Sequence, residues 1–267
     1  MARPPLILLP PSEGKAIGGD GPSWSPGSDE FPELDAQRQA LIGALAVAMK
    51  RNEATRAKLL GVKGAALAAA TATNIDIATA PTLPAIERYT GVLYDALDHG
   101  SMGRTATRRA AAQVITFSGL WGLVTPTTPI PDYKLKMGAT LGRIGKLSTR
   151  WKPVLTEAIA PFVEGRTVWD LLPNEHAAAW SPRNTGLARR ISVRFLDDLG
   201  SGRNRRVITV SHWNKLLKGA LVRHLLATQL ADPDGLTEFH HPQGYRYRPD
   251  LTERRDDLTV VSLVARR

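Results

Sequence analysis

The chain contains no cysteine among its 267 residues. That absence removes disulfides, thiolate catalysis and cysteine-ligated zinc or iron–sulfur sites together. No apolar run reaches the roughly 18 to 20 residues needed to cross a bilayer. The MARPPLILLP start is too short and too proline-rich for a secretory signal. Five of the six histidines, at 176, 212, 224, 240 and 241, fall in no HxxxH or HExxH spacing. No metal and no cofactor are therefore expected. Internal repeats, low-complexity tails and long basic arms are also missing. The lack of cysteine leaves the compartment open; the lack of a spanning run and of a signal leads to the expectation of a soluble, cytoplasmic chain with no membrane partner.

What is present is a large apolar fraction, 43%, and a charge excess of 35 Lys and Arg over 25 Asp and Glu. The first permits a sizeable core. The second, a net +10, attracts polyanions without any reading of sequence. A GC-rich genome gives the same arginine excess, so the placement of charge carries more information than its amount. It gathers at 104–109, 143–152, 183–206 and 215–223, with tails at 246–255 and 266–267, a pattern compatible with a broad phosphate-facing surface.

The periodicity predicts a mixed α/β (α+β) fold in a single domain over residues 1–267. LILL at 6–9 is a short apolar run bounded by prolines, the pattern of a strand buried on both faces. Residues just past such a strand line the crevice of an open α/β sheet, which places Ser12, Glu13, Gly14 and Lys15 there. GGDGPSWSPGSDEFP at 18–32 reads as a loop that could act as a flap over that turn. Helices are expected from 34, around AALAAATATN at 65–74, at KPVLTEAIAPFV and at NKLLKGALVRHLLATQL. TLPAIERYTGVLYDAL, QVITFSGLWGLVTP, RTVWDLLP and RRVITVSHW read as short β-rich or mixed segments, and the final alternating stretch suits a last strand.

LPPSEGK, RYTGVLYDAL, SGLWGLVTP followed by IPDYKLKMG, LPNEH and VSHWNKLLKGALVRHL occur in this order across nearly the whole chain. In residues and order these blocks resemble the YaaA family of peroxide-stress proteins. The resemblance implies a mixed α/β fold peculiar to that family, an association with hydrogen peroxide and intracellular iron, and DNA binding. The chain departs from the family at Thr125, where relatives carry arginine, and at Lys136, where some carry glutamate. If those positions line a site, its charge layout differs from that of the relatives.

Two functions of different class follow. In the first, LLGVKGAAL within 34–80 resembles a helix-hairpin-helix. Gly61, Val62, Lys63 and Gly64 make its turn, and the first-turn amides of the second helix offer a phosphate site that reads no bases. Arg56 and Lys58 would track the adjacent backbone. The same glycines serve equally as a helix cap and a packing position. In the second, the resemblance carries pocket residues onto Ser12, Lys15, Tyr89, Thr90, Ser118, Tyr133, Lys134, Asn174, Glu175, His212, Asn214, Lys215 and Lys218. Such a recess would take a small phosphate- or carboxylate-bearing ligand. Lys15, Glu175, His212 and Lys215 would be catalytic, with His212 or Glu175 carrying protons. Individually, Tyr89 also reads as a core tyrosine and the 215–223 run as a solvated helix face. The pocket requires the Ser12–Lys15 turn to face 212–218, which adjacent strands at 6–9 and 207–210 would arrange. Mutual repulsion of its lysines should depress their pKa values.

Overall fold

The computed structural model describes residues 3–200, 206–210, 214–241 and 243–267. Leu6, Ile7, Leu8 and Leu9 are all fully buried, as an interior parallel strand covered on both faces demands. The Leu6–Leu9 strand runs parallel to Val114–Ser118 on one side and to Thr167–Asp170 on the other. The sheet continues in parallel through Arg189–Leu199 to Leu258–Arg266. Four antiparallel strands complete it. Gly122–Val124 joins 114–118, Arg206–Thr209 joins the far half of 189–199, and Arg246–Tyr247 and Glu253–Arg255 join 258–266. The result is a mixed nine-stranded sheet within a mixed α/β fold.

From the 6–9 strand the chain travels first to the 114–118 side and then returns to the 167–170 side. Strand order therefore reverses at 6–9, and the carboxyl ends of 6–9 and 167–170 flank the point where open α/β sheets accept ligands. The adjacency expected between 6–9 and 207–210 is not formed, because 206–209 is taken up by 189–199. That 11-residue strand escaped the sequence reading, which registered its arginines only as surface charge. Here they are matched to acids on neighbouring elements: Arg189 to Asp232 at 2.8 Å, Arg190 to Asp170 at 2.9 Å and Arg194 to Glu253 at 2.8 Å.

The TLPAIERYTGVLYDAL stretch, read from sequence as β-rich or mixed, carries the short helices Ala85–Arg88 and Val92–Leu97. Helix Asn214–Thr228 packs on Val92–Leu97 through Gly219. A Cβ there would lie 2.2 Å from the Leu93 carbonyl oxygen, so only glycine allows this approach. On another face, Glu53–Leu60 and Gly64–Ile75 form two helices joined by a tight turn. The first ends at Gly61 with a left-handed φ of 68°. Arg56 donates to Thr71 Oγ1 at 3.2 Å, tying the two helices together instead of reaching outward. Among the described residues no helix is long and apolar enough to cross a membrane.

The 18–32 loop is not a free flap. Arg88, fully buried, donates to the carbonyls of Ala16, Gly18 at 2.8 Å, Pro81 at 3.3 Å and Ile130 at 3.1 Å. Gly21 and Thr82 exchange backbone bonds of 3.1 and 3.2 Å. Replacing Arg88 by Met leaves several buried acceptors unpaired, each costing about 1–3 kcal/mol. Arg88→Met should lower the unfolding free energy by about 3 kcal/mol, read as a reduced urea midpoint at unchanged m. A loss under about 0.5 kcal/mol, the range of ordinary surface changes, would show that the loop is held by other contacts.

Candidate functional site

A cleft of about 270 Å³ opens at the carboxyl ends of the 6–9 and 167–170 strands. Pro10, Pro11, Ser12, Glu13 and Lys15 form one wall. The prolines turn the chain out of the sheet. The turn is fixed by Thr90 N–H donating to the Gly14 carbonyl at 3.1 Å and Ala16 N–H to the Arg88 carbonyl at 2.9 Å. Lys134, Leu135 and Lys136 form a second side. Pro173, Glu175 and His176 follow the 167–170 strand, and Asn214, Lys215 and Lys218 come from the helix that begins at 214. A larger groove of about 840 Å³ lies between helices 35–49 and 53–60 and the 138–144 segment. Its lining is mainly apolar and, of the sequence-derived site residues, includes only Lys58.

Lys15 is half-buried, and its ammonium donates to the Ser12 carbonyl at 3.1 Å. It sits 4.1 Å from the ring centre of Tyr133 and 5.8 Å from that of Tyr89. Beneath it the Tyr89 and Tyr133 hydroxyls pair at 2.9 Å, and Tyr133 pairs with Ser118 Oγ at 2.7 Å. Burial pushes the Tyr133 phenol up to about 12 and Tyr89 also upward, so both stay neutral. Burial pushes Lys15 down to about 8, with Asp132 opposing and Lys134 adding to the fall. Lys218, which donates to the Leu171 carbonyl at 2.7 Å, is also lowered to about 8 by burial, against the pull of Asp170. The expected depression is present, but desolvation is its main cause and repulsion between lysines is secondary.

Glu13 behaves oppositely. Burial would raise its pKa, yet hydrogen bonds and charge from Lys134 at 2.9 Å and Lys136 at 3.1 Å hold it down at about 2. His176 is buried and lowered to about 4, first by burial and then by the charge of Lys218. Its Nδ1 is buried without a hydrogen-bond partner, as is the Asn214 side-chain oxygen.

Of the residues singled out from sequence, the cleft gathers Ser12, Lys15, Lys134, Glu175, Asn214, Lys215 and Lys218. Tyr89, Tyr133 and Ser118 lie behind Lys15 with their hydroxyls engaged among themselves. Thr90 braces the Gly14 turn. Asn174 is exposed beside the cleft. His212 falls outside the described residues. Gly61, Val62, Lys63 and Gly64 form the helix turn, with Gly61 against Lys136: a Cβ on Gly61 would be 3.4 Å from the Lys136 ammonium. Of the two departures, Thr125 is buried and bonded to Glu30, Thr127 and Thr128, away from the cleft, whereas Lys136 lines it. His176 was missed. It is the third residue of the short Asn174–Ala177 helix, whose turn brings it inward.

Together these features define a mixed α/β protein with a lysine-lined cleft at the topological switch of its sheet. The chain belongs to the family described as peroxide stress protein YaaA, whose profile matches residues 6–251. It is similar to a UPF0246 protein of Streptomyces coelicolor, 42% identical over 87% of this chain and 86% of that one. It is also similar to a UPF0246 protein of Corynebacterium glutamicum, 34% identical over 84% and 86%, and to one of Roseobacter denitrificans, 30% identical over 66% and 69%.

His176 ties the site to stability. Folding lowers its pKa from 6.5 to about 4, so the unfolded chain binds a proton that the folded one refuses. The stability is full above pH 6.5 and falls away as pH drops towards 4, by up to about 3 kcal/mol. His176→Asn should flatten this acid limb, measured by urea unfolding at pH 7, 5 and 4. An unchanged slope would assign the acid lability to other groups.

Proposed function

We propose that the protein binds a phosphate-bearing ligand in the lysine-lined cleft. The supporting observation is an imbalance of charge and hydrogen bonding. Five lysines line the cleft against two glutamates, and Glu13 is already engaged by Lys134 and Lys136. Among the described residues, no carboxylate lies within ion-pair distance of Lys15, Lys215 or Lys218. Beside them the Asn214 oxygen has no hydrogen-bond partner and His176 Nδ1 has none either, standing 3.7 Å from Glu175 Oε1, and buried polar atoms without hydrogen bonds are costly. A phosphate supplies the missing negative charge, and the rest of such a ligand supplies polar atoms for the other two. The position at the switch of a parallel sheet is where such ligands bind.

Binding should be coupled to protons. Lys15 and Lys218 are near 8 in the free protein, and a neighbouring dianion favours their charged forms. Calorimetric titration with inorganic phosphate at pH 8.5, in buffers of differing ionisation enthalpy, should show proton uptake that vanishes at pH 6.5. Lys218→Gln should weaken binding about tenfold, the usual size of a charge-assisted hydrogen bond. No binding at millimolar phosphate, or binding without proton uptake, would overturn the reading.

A second reading, sequence-neutral DNA binding in a peroxide-stress role, is favoured by the state of the Gly61–Gly64 turn. Gly64, Ala65 and Ala66 are exposed at the start of the second helix, and the N-cap residue Lys63 makes no side-chain cap bond. Open first-turn amides suit a backbone phosphate, and helix-hairpin-helix modules use them this way. The peroxide-stress role rests on the family alone. Affinity for a labelled duplex should fall steeply with salt. Lys63→Glu should weaken every duplex alike, because phosphate contacts carry no sequence information. Affinity that ignores salt, or that survives Lys63→Glu, would leave the turn as a helix connection.

A further inference from the structure

We propose that Lys15 is a nucleophilic amine that condenses with the carbonyl of a phosphate-bearing aldehyde or ketone held in this cleft, forming a protonated imine. This rests on the phosphate reading and adds to it a class of ligand and a covalent step. The geometry separates Lys15 from Lys134, Lys136 and Lys218, and Lys215 is exposed. Lys134 and Lys136 are ion-paired to Glu13. Lys218 is anchored at 2.7 Å on the Leu171 carbonyl, which fixes its position beside the ligand's phosphate. Lys15 has one hydrogen bond, to the carbonyl of its own turn, and otherwise rests on the faces of Tyr133 and Tyr89. The two phenols cannot compete for it, because their hydroxyls are paired with each other and with Ser118.

The groups facing Lys15 are of both signs. Asp132 and Glu13 favour its cation, while Lys134 and Arg88 oppose it. Burial outweighs them all and leaves roughly a tenth of the amine neutral at pH 7. Desolvation beside other cations is an established way of making a lysine nucleophilic.

The step balances without an oxidant or reductant. The neutral Lys15 nitrogen forms a bond to the carbonyl carbon, and the C=O π pair moves to oxygen. The oxygen takes up protons, one of them given up by the attacking nitrogen. The nitrogen lone pair then expels water and leaves a protonated imine. Amine, carbonyl compound and one proton give iminium and water.

The probe is pyridoxal 5′-phosphate, used here as an aldehyde carrying a phosphate, with pyridoxal as the form lacking it. Each is incubated with the full chain, reduced with borohydride and located by peptide mass mapping. The expected result is one pyridoxyl group per chain, on Lys15. The second-order labelling rate should rise with pH through a midpoint near 8. Labelling should be at least tenfold slower with pyridoxal, and equally slowed by saturating inorganic phosphate. Lys15→Arg should abolish incorporation while keeping the circular dichroism spectrum. Label spread over exposed lysines such as Lys50 and Lys146, or centred on Lys218, overturns the proposal. Phosphate binding by calorimetry with Lys15 unlabelled rejects the imine and leaves the phosphate reading standing. Equal labelling of Lys15 by pyridoxal, unprotected by phosphate, shows a reactive amine in a cleft that does not select phosphate, and so overturns both.

Discussion

The position of the site depends on one buried guanidinium. Arg88 is completely enclosed and, among the described residues, makes no hydrogen bond to a carboxylate; its guanidinium donates to backbone carbonyls from three separate stretches, at 16–18, 81 and 130. A charge removed from water must be satisfied this fully or be lost. The consequence is geometric. Residues 16 and 18 are clamped, so the turn just before them is set against residue 89, and Lys15 pairs in backbone register with Tyr89. The same short helix end thus supplies both the clamp and the aromatic face on which Lys15 rests.

Around that fixed turn the sheet sets the electrostatics. Because strand order reverses at 6–9, two chain exits diverge and leave a recess that neither fills. The recess collects lysines from three separate segments, and one of its two carboxylates, Glu13, is ion-paired to two of them. Burial then lowers the pKa of the remaining cations that face inward, Lys15 and Lys218. In an open surface cluster solvent would screen the same charges and leave them near their ordinary values. Depth in the fold, more than the number of lysines, gives these two amines their character.

Much of this arrangement was legible in the sequence. Four consecutive apolar residues at 6–9 bounded by prolines announced an interior strand, and the polar turn after it fell where the cleft now lies. The helix after 214 was equally clear from its apolar spacing. The strand at 189–199 was not, because its arginines obscure the alternation that marks a strand, and their acidic partners at 170, 232 and 253 are remote in sequence. His176 stayed hidden for a related reason. A single helical turn has too little periodicity to say which of its residues faces inward. Tyr89, Tyr133 and Ser118 were recognised as a group, but sequence could not show that they bond mainly to one another and present ring faces, not hydroxyls, to the lysine above.

The helix turn and the cleft, treated as separate features in the sequence, are mechanically joined. Asn74, buried near the end of the Gly64–Ile75 helix, donates to the Lys134 carbonyl at 2.9 Å and accepts from the Lys134 N–H at 2.8 Å. This two-way bond fixes the backbone that presents Lys134 and Lys136 to Glu13, while Gly61 at the other end of the same helix pair lies against the Lys136 ammonium. The second helix is therefore a wall support for the cleft whatever its exposed amides contact. It follows that a polyanion seated on the turn and a small anion seated in the cleft would act on the same lysine. Occupation of either place would alter the charge that the other sees, and Lys136 is the residue through which the two would be coupled.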